Sequence, residues 1–100
     1  MATKDKFSKM FLRNGQAFHL TAVHDKTLVE TTLVIKNVHG ELLAKALVCR
    51  CHFFTFEIHK RGKIKRGKRV LRKISNKLDP LYYSTHVGAW LVDHHAPKLK

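Results

Sequence analysis

The sequence predicts a single α+β domain, with a short N-terminal helix packed on a small antiparallel β-sheet of four or five strands and a basic hairpin or loop. Three observations carry that reading. The chain has 100 residues, which allows one domain. Phe7, Met10 and Phe11 stand at i, i+3 and i+4, the spacing of one helical stripe. Residues 27–38 are dense in β-branched side chains, which suit a pleated, half-buried strand. A hydrophobic content of 44% is ordinary for a folded domain and argues against wholesale disorder.

Taken in order, residues 3–13 read as the helix. Thr3 can cap its first turn, and Asn14-Gly15 can stop it, since glycine readily adopts the left-handed conformation past a helix end. Residues 16–24 read as a strand in which Phe18, Leu20 and Ala22 alternate with Ala17, His19, Thr21 and Val23. Asp25-Lys26 is a turn, residues 27–38 are the firmest strand, and His39-Gly40 is a two-residue hairpin loop. Residues 41–59 read as strand throughout, with a bulge near Cys49–Cys51 where Arg50 and His52 interrupt the alternation. Residues 75–80 form a turn, because Pro80 cannot pair in a central strand. The aromatic and β-branched content of 81–92 favours a strand, although Asp79-Pro80 is also a helix-capping pair. Residues 96–100 read as a frayed tail. The expected core is Phe7, Phe11, Leu20, Leu33, Val34, Ile35, Leu47, Val48, Phe54, Phe56, Val70, Trp90 and Leu91.

Charge is the strongest functional signal. Lys and Arg number 20 against 7 Asp and Glu, a formal charge of +13. Solubility alone needs a net charge of only about 2–8 in magnitude, and charge of one sign on a small body repels itself unless a polyanion relieves it. Ten of the cations lie between Ile58 and Leu78 with no acid among them. The candidate nucleic-acid-binding residues are Lys60, Arg61, Lys63, Lys65, Arg66, Lys68, Arg69, Arg72 and Lys73, on a basic protrusion spanning 60–73. A near-repeat, Lys60-Arg61-Gly62-Lys63 and Lys65-Arg66-Gly67-Lys68, places a glycine in each half, where it lets the chain turn with positive φ. The segment reads either as the tip of a hairpin between Phe54–Ile58 and Arg69–Ile74 or as a loop that orders on a polyanion. Arginine suits bidentate phosphate or guanine contacts and lysine suits point-charge contacts. Tyr82, Tyr83 and Trp90 are the candidates for base stacking, although rings of this kind usually dominate small cores.

The expected function is a small basic nucleic-acid-binding protein of low sequence specificity, gripping DNA or RNA by its phosphates. A phage- or virus-type inhibitor or adaptor of a host nucleic-acid-processing protein is the alternative, and a ribosome-associated protein a third. Lys/Arg-rich runs also serve as nuclear import signals. Catalysis is not expected, since seven acids among lysines and turns offer few placed carboxylates for acid–base work. No cofactor is expected. Cys49, Cys51 and His52, with His59 or His94-His95, could supply metal ligands. However, the cysteine pair is spaced by one residue rather than the two to four of structural zinc sites, so no metal is expected and the cysteines read as free thiols. No stretch approaches the ~18–20 apolar residues of a membrane span, and Met1–Lys6 has charge with no apolar run behind it, unlike a secretory signal. A cytoplasmic, nucleoid-associated or nuclear location is the corresponding expectation. An exposed edge strand could pair two copies into a homodimer.

Overall fold

Asn14 and Gly15 decide how the chain begins. Both have positive φ, 52° and 76°, and they join Arg13 to its register partner Gln16. Positive φ at both central residues is the signature of a type I′ hairpin turn, which Asn-Gly favours. The dipeptide therefore reverses a strand. β1 (Lys4–Arg13) and β2 (Gln16–Asp25) pair along their whole length, and the expected N-terminal helix is instead the first strand. The physical reason is a degeneracy of period. Residues four apart share a face in a helix and in a strand alike, so Phe7 and Phe11 fit both, while Met10 points to the opposite face and is exposed.

The computed structural model describes residues 3–50, 52–71 and 79–96. β3 (Glu30–Lys36), β4 (Leu42–Cys49), β5 (Phe53–Lys60) and β6 (Lys63–Val70) follow, and α1 (Pro80–Val92) closes the order. The six strands form one antiparallel sheet in chain order, β1 to β6, so the sheet has more strands than expected and the helix sits at the other end of the chain.

Each connection is fixed by local chemistry. Asp25 Oδ1 accepts from the Thr27 and Leu28 amides, turning β2 into β3. Asn37 Oδ1 accepts from the His39 and Glu41 amides, so the β3–β4 connection covers 37–41 rather than the two residues His39-Gly40. The register irregularity falls at Ile35/Lys36, and no bulge is seen at Cys49, where a turn divides 41–59 into two strands. Cys49 pairs with Phe53 across that turn. This keeps Ala44, Ala46 and Val48 on the same face as Phe54, Phe56 and Ile58.

That face is buried beneath α1. Asp79 caps the helix by accepting from the Leu81 and Tyr82 amides, Pro80 occupies the first turn, and Tyr83, Ser84, Val87, Gly88, Leu91 and Val92 are buried. Their spacing is helical, which overturns the strand expected over 81–92. The core joins these residues to Phe11, Phe18, Leu20, Leu33, Ile35, Val48, Phe54, Phe56 and Ile58, with Phe7 and Trp90 packed against it. Val34, Leu47 and Val70 of the expected core lie on the opposite, uncovered face by the two-residue alternation, and Val70 is 56% exposed. Of the expected tail 96–100, Ala96 is described and is buried, and 97–100 lie outside the described residues.

Two glycines admit close packing. A Cβ on Gly88 would stand 2.9 Å from a Leu20 methyl, and one on Gly67 would stand 2.5 Å from Phe56 Cζ. Phe56 has no room to retreat, since its ring lies against Trp90 at 4.9 Å and Phe54 at 6.1 Å between centroids. Gly67→Ala is expected to lower stability by about 1–3 kcal/mol through overpacking. Urea unfolding of the variant beside the wild type measures this.

Candidate nucleic-acid interface

The basic segment is built by the second tight turn of the sheet. Arg61 and Gly62 have positive φ, 54° and 75°, and join Lys60 to Lys63, the same type I′ geometry as Asn14-Gly15. The two halves of the Lys-Arg-Gly-Lys repeat thus have different roles. Gly62 makes the turn, whereas Gly67 is an ordinary strand residue opposite Phe56, whose ring it seats. The segment lies in the plane of the sheet, with β6 as its edge strand.

Register assigns each cation to a face. Lys63, Lys65 and Arg69 stand opposite Lys60, Ile58 and Phe54, on the helix side. Arg66 and Lys68 stand opposite Glu57 and Thr55, on the uncovered side. Lys60, Arg61, Lys63, Lys65, Arg66, Lys68 and Arg69 are all exposed. Arg72 and Lys73 lie outside the described residues.

Four of these seven side chains make an internal contact, but only one of the four meets an acid among the described residues. Arg66 Nε lies 3.6 Å from Glu57 Oε2, and Lys60 Nζ donates to the His94 carbonyl at 3.0 Å. Two cations rest on rings, Lys68 Nζ 4.1 Å from the Phe53 centroid and the Arg69 guanidinium 4.9 Å from that of Trp90. Arg61, Lys63 and Lys65 make no ion pair or ring contact among the described residues. Other acids are engaged elsewhere. Asp93 holds Arg13 at 3.0 Å, Asp5 faces Lys26 at 3.4 Å, Glu41 accepts from Asn37, and Asp25 and Asp79 cap turns or helix. Glu57 is the acid that reaches a β6 cation. A hydrogen bond from His59, with the charges of Arg66 and Lys45, holds its carboxyl below the usual range.

Lys45 was missed by sequence reasoning, and it sits beside Glu57 in the register row Lys45–Glu57–Arg66. The signal was available in the alternation of β4. The opposite edge, β1, is also basic through Lys4, Lys6, Lys9 and Arg13, which the helix assignment had placed on a different element.

The stacking candidates are placed otherwise than a binding surface needs. Tyr83 is wholly buried, its hydroxyl 2.6 Å from Thr31 Oγ1. Trp90 packs edge-on against Phe54 and Phe56 and against His94. Tyr82 is exposed, on α1. Cys49 is a free thiol whose pKa burial raises, and Cys51 lies outside the described residues. Among the described residues no group of three or more His, Cys, Asp or Glu is placed to hold a metal ion. No helix among them is long and apolar enough to cross a membrane.

His59, His94 and His95 gather near the Lys60 end of the segment. His95 donates Nε2–H to the Leu43 carbonyl at 2.9 Å. Burial holds its pKa below the ordinary 6.5, and the charges of Lys60, His94 and His59 act in the same direction. Below about pH 6.5 the unfolded chain therefore takes up a proton that folded His95 resists. Its contribution to stability is complete above that pH and is lost as pH falls through the folded value. His95→Gln is expected to flatten this part of the profile, as read from thermal melts of wild type and variant between about pH 7.5 and 5.5.

Comparison with protein-family models, with curated proteins and with solved structures found no match.

Proposed function

We propose that the protein binds nucleic acid by its phosphates through the end of β5, the Arg61-Gly62 turn and the edge strand β6, with low sequence specificity. One observation carries the reading: seven exposed cations, Lys60 to Arg69, share one hairpin that, among the described residues, a single acid, Glu57, touches. Cations left without internal partners are free to replace the counterions condensed on a phosphate backbone, and that release drives affinity. Among the described residues no recognition helix accompanies them, since α1 is given over to covering the core, so backbone contact outweighs base readout. The like charges on both edge strands, β1 and β6, oppose edge pairing between two copies.

The test uses the cations with no internal role. Arg61→Glu with Lys63→Glu and Lys65→Glu is expected to weaken binding to random-sequence nucleic acid by about 100-fold or more at low salt, and to reduce the slope of log affinity against log salt by about 3. Arg66 and Arg69 are spared because Glu57 and Trp90 hold them, so the unfolding free energy should stay within about 0.5 kcal/mol of wild type. Unchanged affinity overturns the assignment. Weak binding to naked nucleic acid combined with salt-tolerant binding to one host protein overturns it in favour of an inhibitor.

A further inference from the structure

We infer that the form of nucleic acid taken by the β6 edge is double-stranded B-form DNA, entered at the major groove with the edge strand lying between the two phosphate walls. This rests on the phosphate-binding reading above and adds the shape of the ligand and the way it docks.

The first support is the two-faced placement of the cations. Lys63, Lys65 and Arg69 project on the helix side of β6, and Arg66 and Lys68 on the other. Same-face neighbours along a strand are about 6.8 Å apart, so each face carries its own row. A single phosphate backbone, or a flat anionic surface, would serve one row and leave the other turned away. A groove has phosphate on both sides. Among the described residues the outer edge of β6 has no strand neighbour, so within the described sheet nothing stands between it and a groove floor. The B-form major groove, about 12 Å wide and 8.5 Å deep, admits a β-ribbon. The A-form major groove of duplex RNA is too narrow, and its minor groove is wide but shallow.

The second support is the fate of the aromatic rings, all nine of which lie among the described residues. Phe11, Phe18, Phe54, Phe56 and Tyr83 are buried, and Phe7 and Trp90 pack against the core. Phe53 is partly buried with Lys68 over its ring, and Tyr82 stands on α1. The cationic edge therefore lacks the row of open rings on which unpaired bases stack. A surface that binds by charge alone follows charge density, which is higher on a duplex than on a single strand.

The experiment titrates the intact protein, at several salt concentrations, against a random-sequence DNA duplex of about 20 base pairs, one of its strands alone, and an RNA duplex of the same sequence, read by mobility shift. The DNA duplex is expected to bind roughly tenfold or more tighter than either competitor. Lys63→Gln with Lys65→Gln, and separately Arg66→Gln with Lys68→Gln, should each reduce the salt slope on duplex DNA by about 2, because each pair meets its own wall. Preference for the single strand or the RNA duplex overturns the inference, as does a slope change in only one pair. Either result leaves phosphate binding standing. Failure to bind any of the three probes removes both.

Discussion

Burial of one sheet face beneath a single helix decides where the charged side chains can go. Six strands in chain order, joined by short turns, present an inward row from every strand, and α1 is 13 residues long. On β2 to β5 the inward row is apolar almost throughout. At the β5 side the apolar cover ends with Trp90, which lies over Phe54 and Phe56. β6 lies past it, and its inward positions are Lys63, Lys65, Gly67 and Arg69. The basic edge is thus a gap in the core, which resumes only at Leu71, the next inward position past β6, buried in the core. Glycine appears there once, where the Phe56 ring needs the space.

The helix is held to this face by polar ties as well as by packing. At its N-terminal half, Tyr83, Thr31 and His24 share a buried hydrogen-bonded group, with Thr31 Oγ1 2.8 Å from His24 Nδ1 and 2.6 Å from the tyrosine hydroxyl. A satisfied buried network of this kind specifies one arrangement of the core, since a misplaced partner would leave polar atoms unpaired. Past its C-terminal end, Asp93 reaches Arg13 of β1, His95 reaches the Leu43 carbonyl of β4 and Lys60 reaches the His94 carbonyl. The last tie also sets a cation at the negative end of the helix dipole. The residues that position the helix and the residues that begin the basic edge therefore meet at Lys60.

Much of the sheet was legible in the sequence, because strands covered on one face alternate. Phe18, Leu20 and Ala22, then Ala44, Ala46 and Val48, then Phe54, Phe56 and Ile58 declared their faces by parity. The two ends of the chain were not legible in the same way. Phe7 and Phe11 satisfy helical and extended periods equally, and only Asn14-Gly15, the stronger hairpin signal, could have decided between them. In 81–92 the β-branched and aromatic content pointed to a strand, while the doublets Tyr83-Ser84, Val87-Gly88 and Leu91-Val92, four apart, carried the helix. Packing against the sheet overrode propensity there. The cation cluster was visible as composition, but its division between two faces of an edge strand needed the register, and so did the difference between Gly62 and Gly67.

Trp90 is the sole tryptophan in the chain. Its indole packs edge-on against the Phe54 and Phe56 rings and also has the Arg69 guanidinium 4.9 Å from its centroid. Light absorbed at the red edge of the protein spectrum is therefore collected at a single ring touching both the core and the basic strand. Emission from that ring responds to the field of the nearest charge, so drawing Arg69 toward an external anion would shift its colour or yield without any label. The molecule carries its own optical probe at the boundary between what holds it together and what it offers to a ligand.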